Sequence, residues 1–142
     1  MLGVVEKSGY FEPNKGVHIL NRKINLSYLT KKDIEAIKIG QKLNIKHYAL
    51  SFTNTSKDVV NFNNLLKNKN KIFKIETKDA IKNLDEILKV GNNLLIDRGD
   101  LSKDIKIENI PIVQRKIISK ARKNKKKVYV ATNFLESMIL NS

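Results

Sequence analysis

Cysteine is absent from the 142-residue sequence, which excludes disulfide bonds and metal sites built from thiolates. This absence fits a reducing compartment. Long apolar runs are also absent: no run approaches the length that crosses a bilayer, and the first ten residues lack the apolar core of a signal peptide. We therefore expect a cytoplasmic protein without a membrane partner.

Negative charge is scarce, because 14 Asp and Glu residues stand against 28 Lys and Arg residues, for a formal net charge of +14. Clustered cations can neutralise nucleic-acid phosphates. The densest basic run contains Arg115, Lys116, Lys120, Arg122, Lys123, Lys125, Lys126 and Lys127. The same run closes a predicted helix, where cations suit the negative end of the dipole and form a solvated face. No recognised nucleic-acid motif accompanies it, which disfavours nucleic acid as a partner.

Apolar runs of strand length alternate with stretches of helical periodicity, in a chain whose composition and length suit one globular domain. The predicted strands span 47–52, 71–76, 93–96 and 127–132. The predicted helices span 30–40, 56–66, 77–89 and 110–123, and a long charged loop precedes the last helix. Strands separated in this way imply an α/β fold of parallel crossovers, either a doubly wound sheet or a (β/α) barrel. A glycine-rich phosphate loop is absent, which disfavours the nucleotide-binding doubly wound fold.

Lys74 and Glu76 form the polar end of the apolar run 72–76. Residues two apart on a strand share a face, so these two side chains project together while Phe73 and Ile75 point the other way. Ionised side chains are rarely buried without partners, and the pair therefore predicts a site at the end of the strand. An ordinary ion pair at a sheet edge is the alternative.

Other predicted strands also end in polar residues. Ser51 ends the first strand, Asp97 and Asp100 follow the third, and Thr132 ends the last. Because ligands bind at the carboxyl ends of parallel strands, we expect these residues to meet Lys74 in one site. Asp100 could instead cap the turn that follows it, and Thr132 could be only a good strand former.

Several short motifs follow, in order and spacing, those of the pyruvate kinase family. They lie at residues 15–17, 29–34, 49–52, 74–76, 85–88, 98–101 and 131–139. Each motif alone is weak, but together they are collinear over nearly the whole chain. The chain therefore resembles pyruvate kinase.

The resemblance covers part of that family's length. Residues 1–14 resemble the edge of an inserted β domain, and residues 15–142 resemble strands four to seven of a (β/α)8 TIM-type barrel with their helices. A complete barrel needs about 250 residues, so we expect this one to be incomplete. The resemblance also implies that the family's monovalent-cation (K⁺) ligands and a substrate-contacting arginine lie in strands outside this sequence.

The resemblance implies transfer of a phosphoryl group from phosphoenolpyruvate to ADP, giving pyruvate and ATP. Lys74 would be the catalytic cation, and Glu76 and Asp100 would bind Mg²⁺ or Mn²⁺. The substrate would contact Lys74, Thr132 and the backbone N–H groups of Gly99 and Asp100. The nucleotide would contact a lysine further upstream. That lysine would be Lys15. Ser51 and Arg98 are further candidate site residues, and neither has an assigned role.

One departure from the family pattern lies in the predicted site: Asp97 stands where the family usually has alanine before Arg98, Gly99 and Asp100. Its added charge could change the ion preference or weaken phosphoenolpyruvate binding. Two alternatives to catalysis in the isolated chain follow. In the first, catalysis needs the missing strands from a longer chain, a complementing segment or a homo-oligomer. In the second, the chain is an inactive relative that binds a metal, an anion or a protein.

Overall fold

The computed structural model describes Val4, residues 7–10, Pro13 and residues 27–131. Two predicted site residues, Lys15 and Thr132, lie outside the described residues. Most of the predicted 1–14 segment also lies outside them, so the division of the chain at residue 14 stays a prediction. None of the helices in the described ranges is long and apolar enough to cross a membrane.

Strands and helices alternate through residues 31–131. The strands are β1 (His47–Leu50), β2 (Asn70–Ile75), β3 (Asn93–Asp97) and β4 (Lys127–Ala131). The α-helices are α1 (Lys31–Lys42), α2 (Ser56–Leu65), α3 (Lys78–Lys82), α4 (Leu84–Val90), α5 (Arg98–Asp104) and α6 (Ile110–Lys123). A 3-10 helix, Ile107–Asn109, joins α5 to α6.

The four described strands form one parallel sheet in the order β1-β2-β3-β4. Each strand pairs with the next one along the chain, so the order does not reverse within the described sheet. A doubly wound sheet has such a reversal at its ligand-binding edge, whereas consecutive pairing continues around a barrel. The predicted α/β class and the parallel β/α units of a barrel are confirmed.

The two faces of this sheet differ in exposure. One face, here called the helix-side face, carries Leu50, Phe73, Ile75, Leu94 and Ile96, which are all buried in the hydrophobic core with the helices. On β4 the same face carries Val128, which is half-buried, and Val130, which is exposed. The other, here called the open face, consists of Ala49, Ile72, Lys74, Leu95, Asp97, Tyr129 and Ala131, which are half-buried or exposed. The alternation of strand residues between two faces therefore separates the core from the polar strand ends.

Side-chain caps start several of the helices. Thr30 and Thr55 each accept a hydrogen bond from the backbone three residues on, and Asp33 and Asp58 return the contact to complete a capping box. The sequence predicts a helix start at Thr30 and another at Thr55 or Ser56, and both starts are confirmed. The Asp97 side chain caps the start of α5.

The predicted end of α1 at Gly40 is wrong, because the helix continues to Lys42. Gly40 is buried within the helix, and a Cβ atom there would lie 2.9 Å from Tyr48 Oη. The glycine thus permits a close approach of β1 to α1. The chain leaves the helix through Asn44, whose φ of 56° is left-handed.

Three further boundaries differ from the predictions. The single helix predicted over 77–89 is two helices that meet at Asn83, whose side-chain amide donates to the Asn54 carbonyl at 2.9 Å. Residues 98–104, predicted as loop, form α5 because Asp97 caps them. The first strand ends two residues early, since Phe52 has a φ of 51° that no strand accommodates.

Candidate functional site

Charged side chains from two neighbouring strands meet at the carboxyl edge of the sheet. Glu76 follows β2, Asp97 ends β3, and Asp100 lies in the first turn of α5. One carboxylate oxygen from each of these three residues lies within 4.8 Å of the other two. We call these three residues the carboxylate cluster. The structure thus brings three of the predicted site residues together, whereas Thr132 lies outside the described residues.

Glu76 is 1% exposed although it is ionisable. Its Oε2 accepts a hydrogen bond of 2.6 Å from the backbone N–H of Phe52, in the turn after β1. Its Oε1 lies 2.5 Å from Lys74 Nζ and accepts no well-directed hydrogen bond from the described residues. The Phe52 N–H and the Lys74 ammonium group thus hold the two oxygens of this buried carboxylate in place.

Lys74 lies between two carboxylates. Its Nζ is 2.5 Å from Glu76 Oε1 and 3.2 Å from Asp97 Oδ2, and its side chain is 21% exposed. Burial on its own would lower the pKa of Lys74, but the hydrogen bonds and charges of Glu76 and Asp97 outweigh it and raise the pKa. Lys74 is therefore a protonated cation at neutral pH. The ion pair considered from the sequence exists, and it lies inside the cluster.

Asp97 has a second set of contacts. Its Oδ1 accepts hydrogen bonds from the backbone N–H groups of Gly99, at 3.2 Å, and Asp100, at 3.5 Å. These contacts make Asp97 the N-cap of α5. The alternative in which Asp100 caps the following turn is therefore wrong.

Asp100 is more accessible than Glu76. Its side chain is 27% exposed, and Oδ1 lies 2.6 Å from Lys103 Nζ, whose side chain is 57% exposed. The two residues are three apart on α5, a spacing that places them on the same side of a helix. This pair was missed from the sequence, because residues 98–104 were predicted as loop. The Phe52 N–H was also missed, since a backbone donor leaves no sequence signal.

Three further candidates lie within the described residues. Ser51 is exposed in the turn after β1. Arg98 is half-buried, and its Nε donates to the Ala131 carbonyl at 3.4 Å, which ties the start of α5 to β4. Gly99 is exposed and takes part through its backbone N–H.

The donor set of the cluster consists of carboxylate oxygens. Such hard ligands suit Mg²⁺ or Mn²⁺, which bind through one or two carboxylates together with substrate oxygens and water. The buried Glu76 Oε1 and the accessible Asp100 would place such an ion between strand β2 and helix α5. Lys74 adds a fixed positive charge beside it. An arrangement of this kind can bind an anionic group and stabilise charge that develops on it.

The basic run on α6 lies elsewhere. Lys120 Nζ is 2.6 Å from Asp85 Oδ2, and Lys126 Nζ donates to the Asn92 side chain at 2.9 Å. The other predicted members of the run are exposed: Arg115, Lys116, Arg122, Lys123, Lys125 and Lys127. Two of its lysines therefore hold neighbouring elements together, and the remaining cations form a solvated surface.

Comparison with known proteins identifies related chains. The family model described as "Pyruvate kinase, barrel domain" matches residues 2–142. A pyruvate kinase of Thermotoga maritima is 38% identical over 142 residues, which covers 97% of this chain and 30% of that relative. A pyruvate kinase of Sporosarcina psychrophila is 37% identical over 143 residues, covering 97% of this chain and 24% of the relative.

A plant protein matches over the same region. Plastidial pyruvate kinase 3, chloroplastic, of Arabidopsis thaliana is 37% identical over 140 residues, which covers 96% of this chain and 24% of that protein. The chain thus spans 24–30% of the length of these three curated relatives.

Proposed function

The chain belongs to the pyruvate kinase barrel-domain family, and from this premise we propose that it carries the phosphoryl-transfer site of a pyruvate kinase-like enzyme. The reaction is transfer of a phosphoryl group from phosphoenolpyruvate to ADP, which gives pyruvate and ATP. The single observation that carries the proposal is the position of Lys74, a protonated cation 2.5 Å from the buried Glu76 and 3.2 Å from Asp97.

Glu76 and Asp100 are the residues that would hold Mg²⁺ or Mn²⁺. The ion would supply positive charge against the substrate's anionic oxygens. Glu76 is fixed from two sides, by the Phe52 N–H and by Lys74, so its Oε1 is presented in one orientation. Asp100 can turn away from Lys103, because both side chains are partly exposed.

Lys74 is the proposed catalytic residue. Its raised pKa keeps the ammonium group protonated at neutral pH, so it can bind the transferring phosphoryl and stabilise the charge that spreads over its oxygens. The family pattern adds the Gly99 and Asp100 N–H groups and Thr132 as substrate contacts, Lys15 as a nucleotide contact, and Ser51 and Arg98 as further candidates. These roles are part of the proposal.

Activity is proposed to need further strands of the barrel. The open face carries apolar residues that the described chain leaves half-buried or exposed, among them Leu95 and Tyr129. In a closed barrel this face lies in the interior and is filled by side chains of the other strands. A longer natural chain, a complementing segment or a second copy would supply those strands.

The test is an assay of the naturally encoded product that carries residues 1–142, with phosphoenolpyruvate, ADP and Mg²⁺, in which pyruvate formation is coupled to lactate dehydrogenase. We expect Lys74→Ala to lower kcat at least about a hundredfold, the size seen when a fixed charge-stabilising group is lost. Lys89→Ala is the matched control, because Lys89 also forms an ion pair but lies on the exposed surface of α4. It should leave kcat unchanged.

Metal binding is measured separately, from the electron paramagnetic resonance of free Mn²⁺ during titration. Glu76→Gln should weaken Mn²⁺ binding. A folded product that binds Mn²⁺ but forms no pyruvate would contradict the enzymatic proposal and would favour the inactive, ion-binding relative. Turnover that survives Lys74→Ala would contradict the role assigned to that lysine.

A further inference from the structure

The Asp97 carboxylate contacts three groups at once. Its Oδ2 lies 3.2 Å from Lys74 Nζ, and its Oδ1 accepts from the N–H groups of Gly99 and Asp100. The proposed function assigns all three of these groups to the anionic substrate. The resemblance to the family implies alanine at this position, and alanine could make none of these side-chain contacts.

We propose that Asp97 is an intramolecular anion that competes with the anionic substrate for Lys74 and thereby sets how tightly the site binds it. This inference rests on the proposed function, because it concerns the same site. Asp97 acts before any reaction step, by occupying the positive charge that the substrate needs.

The fold holds Asp97 in this position. Lys74 pairs in register with Leu95, and Asp97 lies two residues further along β3 on the same face. The capping bonds to the start of α5 then orient the carboxylate, so that one oxygen points to the backbone and the other to Lys74. The side chain is thus placed by two independent elements and does not have to be ordered before it binds Lys74.

The negative charge of Asp97 is expected to weaken substrate binding. Lys74 Nζ lies 2.5 Å from Glu76 Oε1 and 3.2 Å from Asp97 Oδ2, so an approaching phosphate or carboxylate group meets two carboxylates at the cation that it would bind. Removing the Asp97 carboxylate relieves this repulsion and leaves the ion pair between Lys74 and Glu76 in place. Repulsion between like charges that are partly shielded from water is stronger than between charges in bulk solvent.

The first test is isothermal titration calorimetry of phosphoenolpyruvate into the full natural product, at an Mg²⁺ concentration shown to be saturating for each variant. Asp97→Asn removes the charge and keeps an oxygen that can cap α5, whereas Asp97→Ala removes both. We expect both variants to bind phosphoenolpyruvate about two- to fivefold more tightly than the native chain, the range of a partly exposed charge pair.

Thr30→Ala is the matched control for the lost cap. Thr30 caps α1 through Asp33, on a different element from the carboxylate cluster. Thr30→Ala and Asp97→Ala should each lower the melting temperature, but only the Asp97 variants should change the affinity. Tighter binding in Thr30→Ala would mean that loosened structure, and not the Asp97 charge, controls the site.

The outcomes separate this inference from the proposed function. If the Asp97 variants bind phosphoenolpyruvate no more tightly than the native chain while Lys74→Ala weakens binding, Asp97 is not a competitor and the function stands. If Lys74→Ala leaves the affinity unchanged, or no variant binds phosphoenolpyruvate, both fail.

Discussion

The two faces of the sheet are built from the same strands but meet different surroundings. Ile96 on the helix-side face is fully buried, whereas its chain neighbour Leu95 on the open face is only half-buried. Helices α2 to α6 cover the first face, and further barrel strands would have to cover the second. The helix-side face therefore stabilises the described chain, and the open face carries Lys74 and Asp97.

This division explains where a charged pair is tolerated. On the helix-side face a lysine would lie among Phe73, Ile75 and Leu94, without water or partners, at a cost of several kcal/mol. On the open face Lys74 has carboxylates on both sides and keeps part of its exposure. The same strand thus supplies both the core and the site, because alternate residues point in opposite directions.

Two substitutions on β3 test most directly whether the two faces contribute differently to stability. Ile96→Ala should lower the free energy of unfolding by about 2–5 kcal/mol, because it removes a fully buried side chain and leaves a cavity. Leu95→Ala in the 142-residue chain should cost roughly 1 kcal/mol, since that side chain is already partly in water. Urea unfolding measures both values. Equal losses would show that the open face is covered in this chain.

Two substitutions in the carboxylate cluster compare the buried Glu76 with the more accessible Asp100. Glu76→Ala should lower the free energy of unfolding by about 2–3 kcal/mol, because it leaves Lys74 and the Phe52 N–H without their buried partner. Asp100→Ala should cost less than about 1 kcal/mol, since it breaks an exposed pair with Lys103. If chemical denaturation gives the larger loss for Asp100, the structural part assigned to Glu76 is wrong.

The edge of the helix-side face gives a smaller effect. Thr77 caps α3 and also bonds to the Asn54 side chain, and both contacts are half-buried. Thr77→Ala should cost about 1–2 kcal/mol, against about 0.5–1 kcal/mol for Thr30→Ala, whose cap is exposed. Thermal unfolding with circular dichroism compares them. If Thr77→Ala lowers the stability no more than Thr30→Ala does, burial adds nothing to the Thr77 cap.

The smallest effect lies outside both faces, at Asp33. Hydrogen bonds from the side chain and then the backbone of Thr30 lower the pKa of Asp33 from its ordinary value of 3.8. A lowered pKa in the folded state means that the stabilisation is present above pH 3.8 and is lost as the pH falls through the folded value. The difference in melting temperature between the native chain and Asp33→Asn should shrink in acid. A difference that is constant with pH would contradict this.

Much of the fold was accessible from local patterns. Thr30 and Thr55 predicted helix starts correctly, because an N-cap is a contact between residues three apart. Gly40 misled the prediction, since a glycine that ends a helix and one that lets Tyr48 approach look alike in sequence. Asn83 likewise gave no sign that it would divide a helix, because its partner, the Asn54 carbonyl, is 29 residues away.

The sequence by itself determined the alternation of strands and helices, the pairing of Lys74 with Glu76 on one face, and the family to which the chain belongs, because these depend on periodicity and on short collinear motifs. Only the tertiary structure decided that Asp97 contacts Lys74 and caps α5, that Glu76 is buried against the Phe52 N–H, and that Asp100 stays accessible. Those facts depend on the register between β2 and β3 and on the turn after β1. Both are set by long-range packing that the local sequence does not encode.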